Sequence, residues 1–219
     1  MKKFKLTQAI VASLLISIII SCGNKNDKPL PVLGERQVIE LEVNGKKVAD
    51  TAYHTIAPFR FVDQDSATIT NDTFKDKIYV ADFFFTSCRT ICPIMKTQML
   101  RVYDSIQNDP DVLLLSHTID PDYDSVELLH DFADRLGVKS DKWHFVTGNK
   151  DSIYSIAQTS YFATAMQDAS VPEGFIHSGA FLLVDKKRRI RGKYDGTVEK
   201  DVDRLIADLK RLRKEEGVN

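Results

Sequence analysis

Two long apolar runs set what this chain can fold into. Residues 77–85 read KIYVADFFF and residues 111–118 read DVLLLSHT. Neither alternates cleanly between apolar and polar, so neither suits a strand with one wet face. Continuous runs of this kind belong to strands covered on both sides, as in a parallel sheet. Between them, residues 93–106 (PIMKTQMLRVYDSI) carry Ile94, Met95, Leu100, Val102 and Tyr103 at helix-compatible spacing. Strand, helix, strand is the unit that parallel pairing requires.

The remaining segments extend that pattern. Residues 38–43 (VIELEV) alternate like a strand and run into Asn44-Gly45, a hairpin turn signal. Short strands are expected at 57–62 and 67–70, an amphipathic helix at 125–136, a strand at 143–146 and a helix at 151–161. Residues 180–184 and 189–194 should form a hairpin across 185–188, and 198–214 a closing helix with Thr197 as N-cap. The sum is an α/β sandwich. Roughly 180 residues beyond the N-terminal segments suffice for one domain with a sizeable core. No internal repeat or low-complexity tract interrupts it.

The N-terminus is different. Lys2, Lys3 and Lys5 precede an apolar stretch at 9–20 that ends in Ser21-Cys22. The stretch is shorter than the ~20 residues a spanning helix needs, and the layout is that of an export signal. Its ending resembles the lipobox of bacterial lipoproteins, which implies cleavage before Cys22 and lipid on its sulfur. The expected division is a signal peptide at 1–21, a membrane tether at 22–37 and a folded domain at 38–219. The domain then lies in the cell envelope, on the periplasmic side of its membrane. Thirty Lys and Arg against 31 Asp and Glu give no electrostatic reason to expect nucleic acid as a partner.

With Cys22 consumed by lipid, Cys88 and Cys92 are the remaining thiols in an oxidising compartment. They sit in DFFFTSCRTICPIMK, after an apolar strand and before Pro93, a residue suited to the first turn of a helix. That places them at the C-terminal end of a strand, where open α/β sheets keep their sites. At helical spacing their Cα atoms lie roughly 6 Å apart, which permits a disulfide or two thiolates on one ion. The helix start and Arg89 both favour the thiolate. A third donor is best sought in His177, directly before the strand at 180–184. Two thiolates and an imidazole make a soft three-coordinate site, suited to copper and open to zinc. His117 is expected to be satisfied in the core or hydrogen-bonded beside Asp120. His54, His130 and His144 read as surface or packing residues, and Met95 and Met99 as core. The basic run 185–191 reads as a solvated turn, with docking to anionic lipid or an acidic partner as its functional alternative.

Three segments in order, DFFFTSCRTICPIM, SHTIDPDYDS and IHSGAFLLVD, resemble the signature segments of the Sco/SenC family of copper chaperones. The resemblance covers residues 55–212. It implies a thioredoxin-like three-layer sandwich with an added N-terminal β-hairpin, tethered to a membrane. It also implies copper, as Cu(I) or Cu(II), held by Cys88, Cys92 and His177. The implied role is assembly of the copper centre of cytochrome c oxidase, as metallochaperone or as thiol reductase. The partner would be the copper-bearing oxidase subunit or another copper protein. Arg89 departs from the proline that many members carry after the first cysteine. The alternative is a metal-independent periplasmic thiol-disulfide oxidoreductase using Cys88 and Cys92 as its redox pair, or as a disulfide in the resting state. Against it, the cysteine spacing is one residue longer than usual for such reductases, and Ile176-His177-Ser178 carries no proline.

Overall fold

The computed structural model describes residues 28–171 and 174–217. The expected signal peptide, Cys22 and the first part of the expected tether lie outside the described residues. The two apolar runs become β5 (Ile78–Phe84) and β6 (Val112–Thr118), joined through α1 (Cys92–Ile106). Every residue of both strands is buried, as their unbroken apolar patterns require. β6 pairs in parallel with β5 and with β7 (Trp143–Thr147), reached through α2 (Val126–Leu136).

On one side β7 accepts the antiparallel β3 (Arg60–Asp63), which pairs with β4 (Thr68–Thr70). On the other, β10 (Ala180–Val184) pairs antiparallel with β5, and β11 (Ile190–Asp195) pairs antiparallel with β10. The result is a seven-stranded mixed sheet in the order β11-β10-β5-β6-β7-β3-β4. On one face Phe84 and Phe145 pack on Phe132 of α2, and Trp143 packs on Tyr103 of α1. The α4 helix (Glu199–Glu215) lies against β11 and α1. On the other face Phe83 meets Tyr161, just past α3 (Lys150–Thr159), and Tyr79 meets Phe74. Helices on both faces of the sheet make the expected three-layer sandwich.

Helix ends follow local chemistry. Ser125 caps α2 by accepting from the Leu128 amide, and Asn149 caps α3 by accepting from Ser152. Gly137 ends α2 in the left-handed conformation, with φ of 69°. Thr197 does not cap α4: Val198 stands at that position without a side-chain cap, and the Thr197 hydroxyl donates to Asp195. A small pair of strands, β8 (Ala165–Gln167) and β9 (Phe175–His177), adds an element absent from the sequence reading.

The N-terminal hairpin is present as β1 (Arg36–Val43) and β2 (Lys46–Tyr53), turning at Asn44 and Gly45 with φ of 53° and 74°. Most of it is exposed, because it pairs only with itself. The chain before it is held firmly. The Leu33 amide donates to the Ile190 carbonyl at 2.8 Å, and the Arg191 guanidinium donates to the carbonyls of Pro31 and Leu30. Glu215 accepts from both Arg191 and the Leu30 amide. Val184 pairs with Ile190 on one side and Tyr79 on the other, so this clamp sits at the N-terminal end of β5.

Candidate metal centre

The opposite end of β5 carries the chemistry. After Phe84 the chain leaves the sheet and reaches Cys88, whose amide donates to the Phe85 carbonyl. It re-enters regular structure at Cys92, the first residue of α1, with Pro93 in the first turn as expected. Both cysteines are free thiols and both are buried. β9 brings in His177 from the far end of the sequence. Its Nε2 lies 3.2 Å from Cys92 Sγ and 4.0 Å from Cys88 Sγ. The three donor atoms all fall within 4.8 Å of one another, and no other such cluster occurs among the described residues.

The imidazole is oriented for donation. Its Nδ1–H donates to the Ser178 carbonyl at 3.3 Å, which leaves the Nε2 lone pair toward the sulfurs. Phe85 meets the ring edge-on at 5.7 Å, and Phe175 packs on Phe85. The two thiols are unlike. Cys92 shares its proton with Cys88, which pulls the Cys88 pKa well below the usual thiol range, with help from His177 and Thr90. The same shared proton, together with burial, holds the Cys92 pKa above it. The largest effects thus come from within the cluster, whereas the sequence pointed to the helix start and Arg89.

Two acidic residues organise the surroundings. Asp124 is fully buried and accepts from the Thr86 amide, the Thr86 hydroxyl and the Thr118 hydroxyl. One carboxylate therefore ties the loop leading to Cys88 to the end of β6. The segment IDPDYD at 119–124 carries no local pattern that reveals this role. Asp82 lies on the face of β5 covered by α1 and accepts from Ser116, which in turn accepts from the Trp143 indole at 2.8 Å. Burial raises its pKa to about 6, against the opposing pull of Ser116 and His177.

The other histidines stay apart from the cluster. His117 is completely buried and, instead of bonding beside Asp120, lies against the Asp82 backbone with neither ring nitrogen in good hydrogen-bond geometry among the described residues. It stacks on Phe83 at 4.8 Å and meets Phe61, Phe59 and Tyr161 edge-on, and burial lowers its pKa to about 3. An aromatic cage holds it neutral. His144 is buried against Asp63 at 2.9 Å, His130 is exposed beside Asp65, and His54 bonds the Ser160 carbonyl. Met95 and Met99 are both buried in the core. No described helix is long and apolar enough to cross a membrane.

Comparison with known proteins agrees with this geometry. Residues 47–214 match the family model SCO1/SenC. The chain is 28% identical over 212 residues to a SCO1 protein homolog of Bacillus subtilis, covering 94% of this chain and 96% of that protein. It superposes with a TM-score of 0.64 on BsSco, described as showing a disulfide switch and as a member of the Sco family of cytochrome c oxidase assembly proteins. That match is 29% identical and covers 73% of this chain and 93% of the other. A copper-bound ScoI of Arabidopsis thaliana superposes with a TM-score of 0.60 at 25% identity, covering 72% of this chain and 98% of that one.

Proposed function

The chain belongs to the SCO1/SenC family, and from that premise we propose that it is a membrane-tethered copper-binding protein acting in the assembly of cytochrome c oxidase. The observation that carries this reading is the convergence of Cys88 Sγ, Cys92 Sγ and His177 Nε2 within 4.8 Å. Two thiolates and one imidazole suit a soft ion, and copper accepts such a set more readily than a hard cation would. Cys88, Cys92 and His177 would hold the ion as cargo, and the Ser178 carbonyl would fix the imidazole that completes the set. The copper-bound relative and the oxidase-assembly relative support the reading. Tethering rests on the lipobox-like end of the N-terminal segment, with lipid on Cys22.

Copper titration of the reduced protein tests the site. One ion per chain is expected. Cys88→Ser or Cys92→Ser should abolish tight binding, because a hydroxyl is a poor ligand for soft copper. His177→Ala should weaken binding and alter any Cu(II) spectrum while leaving both thiols available to Cu(I). Undiminished copper in the double cysteine variant would sink the assignment.

The inequality of the two thiols favours a second activity at the same site. Cys88, the thiol drawn toward the thiolate and the less deeply buried of the two, would attack a partner disulfide, and Cys92 would resolve the mixed disulfide. In that exchange the two thiols lose two protons and two electrons, and the partner disulfide gains both. The copper-free protein should then reduce a model disulfide, with alkylation at pH 6 falling first on Cys88. Equal labelling of the two thiols, with no exchange by the copper-free protein, would leave metal binding as the site's sole activity.

A further inference from the structure

The basic run 185–191 divides into two groups. Arg189 and Arg191 are turned inward, onto Asp185, Glu215 and Glu216. Those three carboxylates are thereby engaged. Lys186, Lys187 and Arg188 form no ion pair among the described residues, and Lys187 is exposed. Lys186 and Lys187 therefore stand as unpaired cations on the turn between β10 and β11, while the half-buried Arg188 lies close enough to buried Tyr79 to act on its hydroxyl. Arg191 of the same run clamps the carbonyls of Leu30 and Pro31, so the chain arriving from Cys22 enters the domain beside this turn. Turn and clamp lie at the N-terminal end of β5, and the Cys88, Cys92 and His177 cluster lies beyond its C-terminal end. The seven residues of β5 separate the two poles by about 20 Å before the cysteine loop is counted.

The tether is short on this scale. From Cys22 to Leu30 the chain spans at most about 28 Å fully extended. With Cys22 lipidated, as proposed above, the clamped pole cannot move far from the bilayer. We propose that the domain rests on its own membrane through the 185–188 turn, whose cations bind anionic lipid headgroups, and that it holds the metal cluster at the outward pole. Charge complementarity and the entry point of the tether select a lipid surface as the occupant, since the tether keeps the turn near the bilayer and its cations suit anionic headgroups. Each basic residue near an anionic surface strengthens association about five-fold.

The test uses the full chain, checked for fatty-acid label on Cys22 and bound to phosphatidylcholine vesicles with or without about 30% phosphatidylglycerol. Backbone hydrogen exchange is followed at residues 185–189 and, as control, at 88–96. Phosphatidylglycerol should slow exchange at the turn about five-fold or more and leave the cysteine loop unchanged. About 0.5 M salt should reverse the effect without releasing the protein, because screening removes headgroup attraction and not the anchor. Lys186→Glu with Lys187→Glu should abolish the slowing and leave copper uptake intact. Labelled protein whose turn exchanges equally on both lipids overturns the inference while the lipid anchor stands. Slowing seen in native membranes but not in protein-free vesicles overturns it in favour of an acidic protein partner. Absence of label removes the anchor and the inference with it.

Discussion

Asp82 is buried on the sheet face beneath α1, so its charge has a cost that pH should expose. Its folded-state pKa is raised to about 6 from an ordinary 3.8, with burial as the leading cause. A raised carboxyl pKa means the folded state binds the proton more tightly than the unfolded state does. Its contribution is therefore most favourable below pH 3.8 and is lost as pH rises through about 6. The loss amounts to at most ~3 kcal/mol. Asp82→Asn should keep the hydrogen bond from Ser116 and remove the charge. Urea unfolding at pH 4.5 and pH 7.5 should show the variant gaining on wild type at the higher pH. A wild-type-like difference between the two pH values in the variant would show that Asp82 is not the titrating group. The same residue shows what the sequence hides. Cys88 and Cys92 announce themselves by spacing, and His177 by its place before a strand. The work of Asp82 and Asp124 depends on partners 34 and 38 residues away, which no local pattern encodes.

The elements that position the site differ in how readily they could be read. β5 and β6 were legible because burial on both faces leaves a continuous apolar run, and α2 because its apolar stripe starts at a capping serine. β8 and β9 were not, since three-residue strands carry too little pattern to rise above loop. His177 nevertheless hangs on β9, which continues through Ser178 and Gly179 into β10. That link is braced at Gly196, whose amide donates to the Gly179 carbonyl at 2.6 Å. A Cβ on Gly196 would fall 2.6 Å from the ring of Phe181, which is fully buried and has no room to yield. Gly196→Ala should therefore cost about 1–3 kcal/mol through overpacking. It should also weaken copper binding by displacing the segment that carries His177, while thiol reactivity stays close to normal. Denaturant midpoint and copper titration read the two effects separately. Unchanged copper affinity in a destabilised variant would show that β9 is held without this brace.

At the scale of the whole molecule, the order of strands was less legible than their number. An antiparallel β10 beside β5 requires the last third of the chain to return to the centre of the sheet, and periodicity does not specify which edge or neighbour a strand takes. That return also sets a sequence of events in time. Cys92 and His177 are 85 residues apart, so a chain that emerges from its N-terminus delivers both thiols before the imidazole. At ordinary synthesis rates of ~5–20 residues per second the interval is roughly 4–17 s. If the chain is exported as proposed above, the thiols face an oxidising compartment during that interval with no third donor and no buried cluster to enclose them. Oxidation thus has a head start over metal capture, and the first folded molecules should carry a Cys88–Cys92 disulfide. Pulse-labelled protein trapped with an alkylating reagent within a minute of export should be mostly unreactive, and reactive thiols should appear only later, once a reductant acts. Early chains that are fully alkylated would show the cluster closing faster than oxidant arrives. A molecule born oxidised would depend on a supply of electrons, ahead of a supply of copper, before it could enter service.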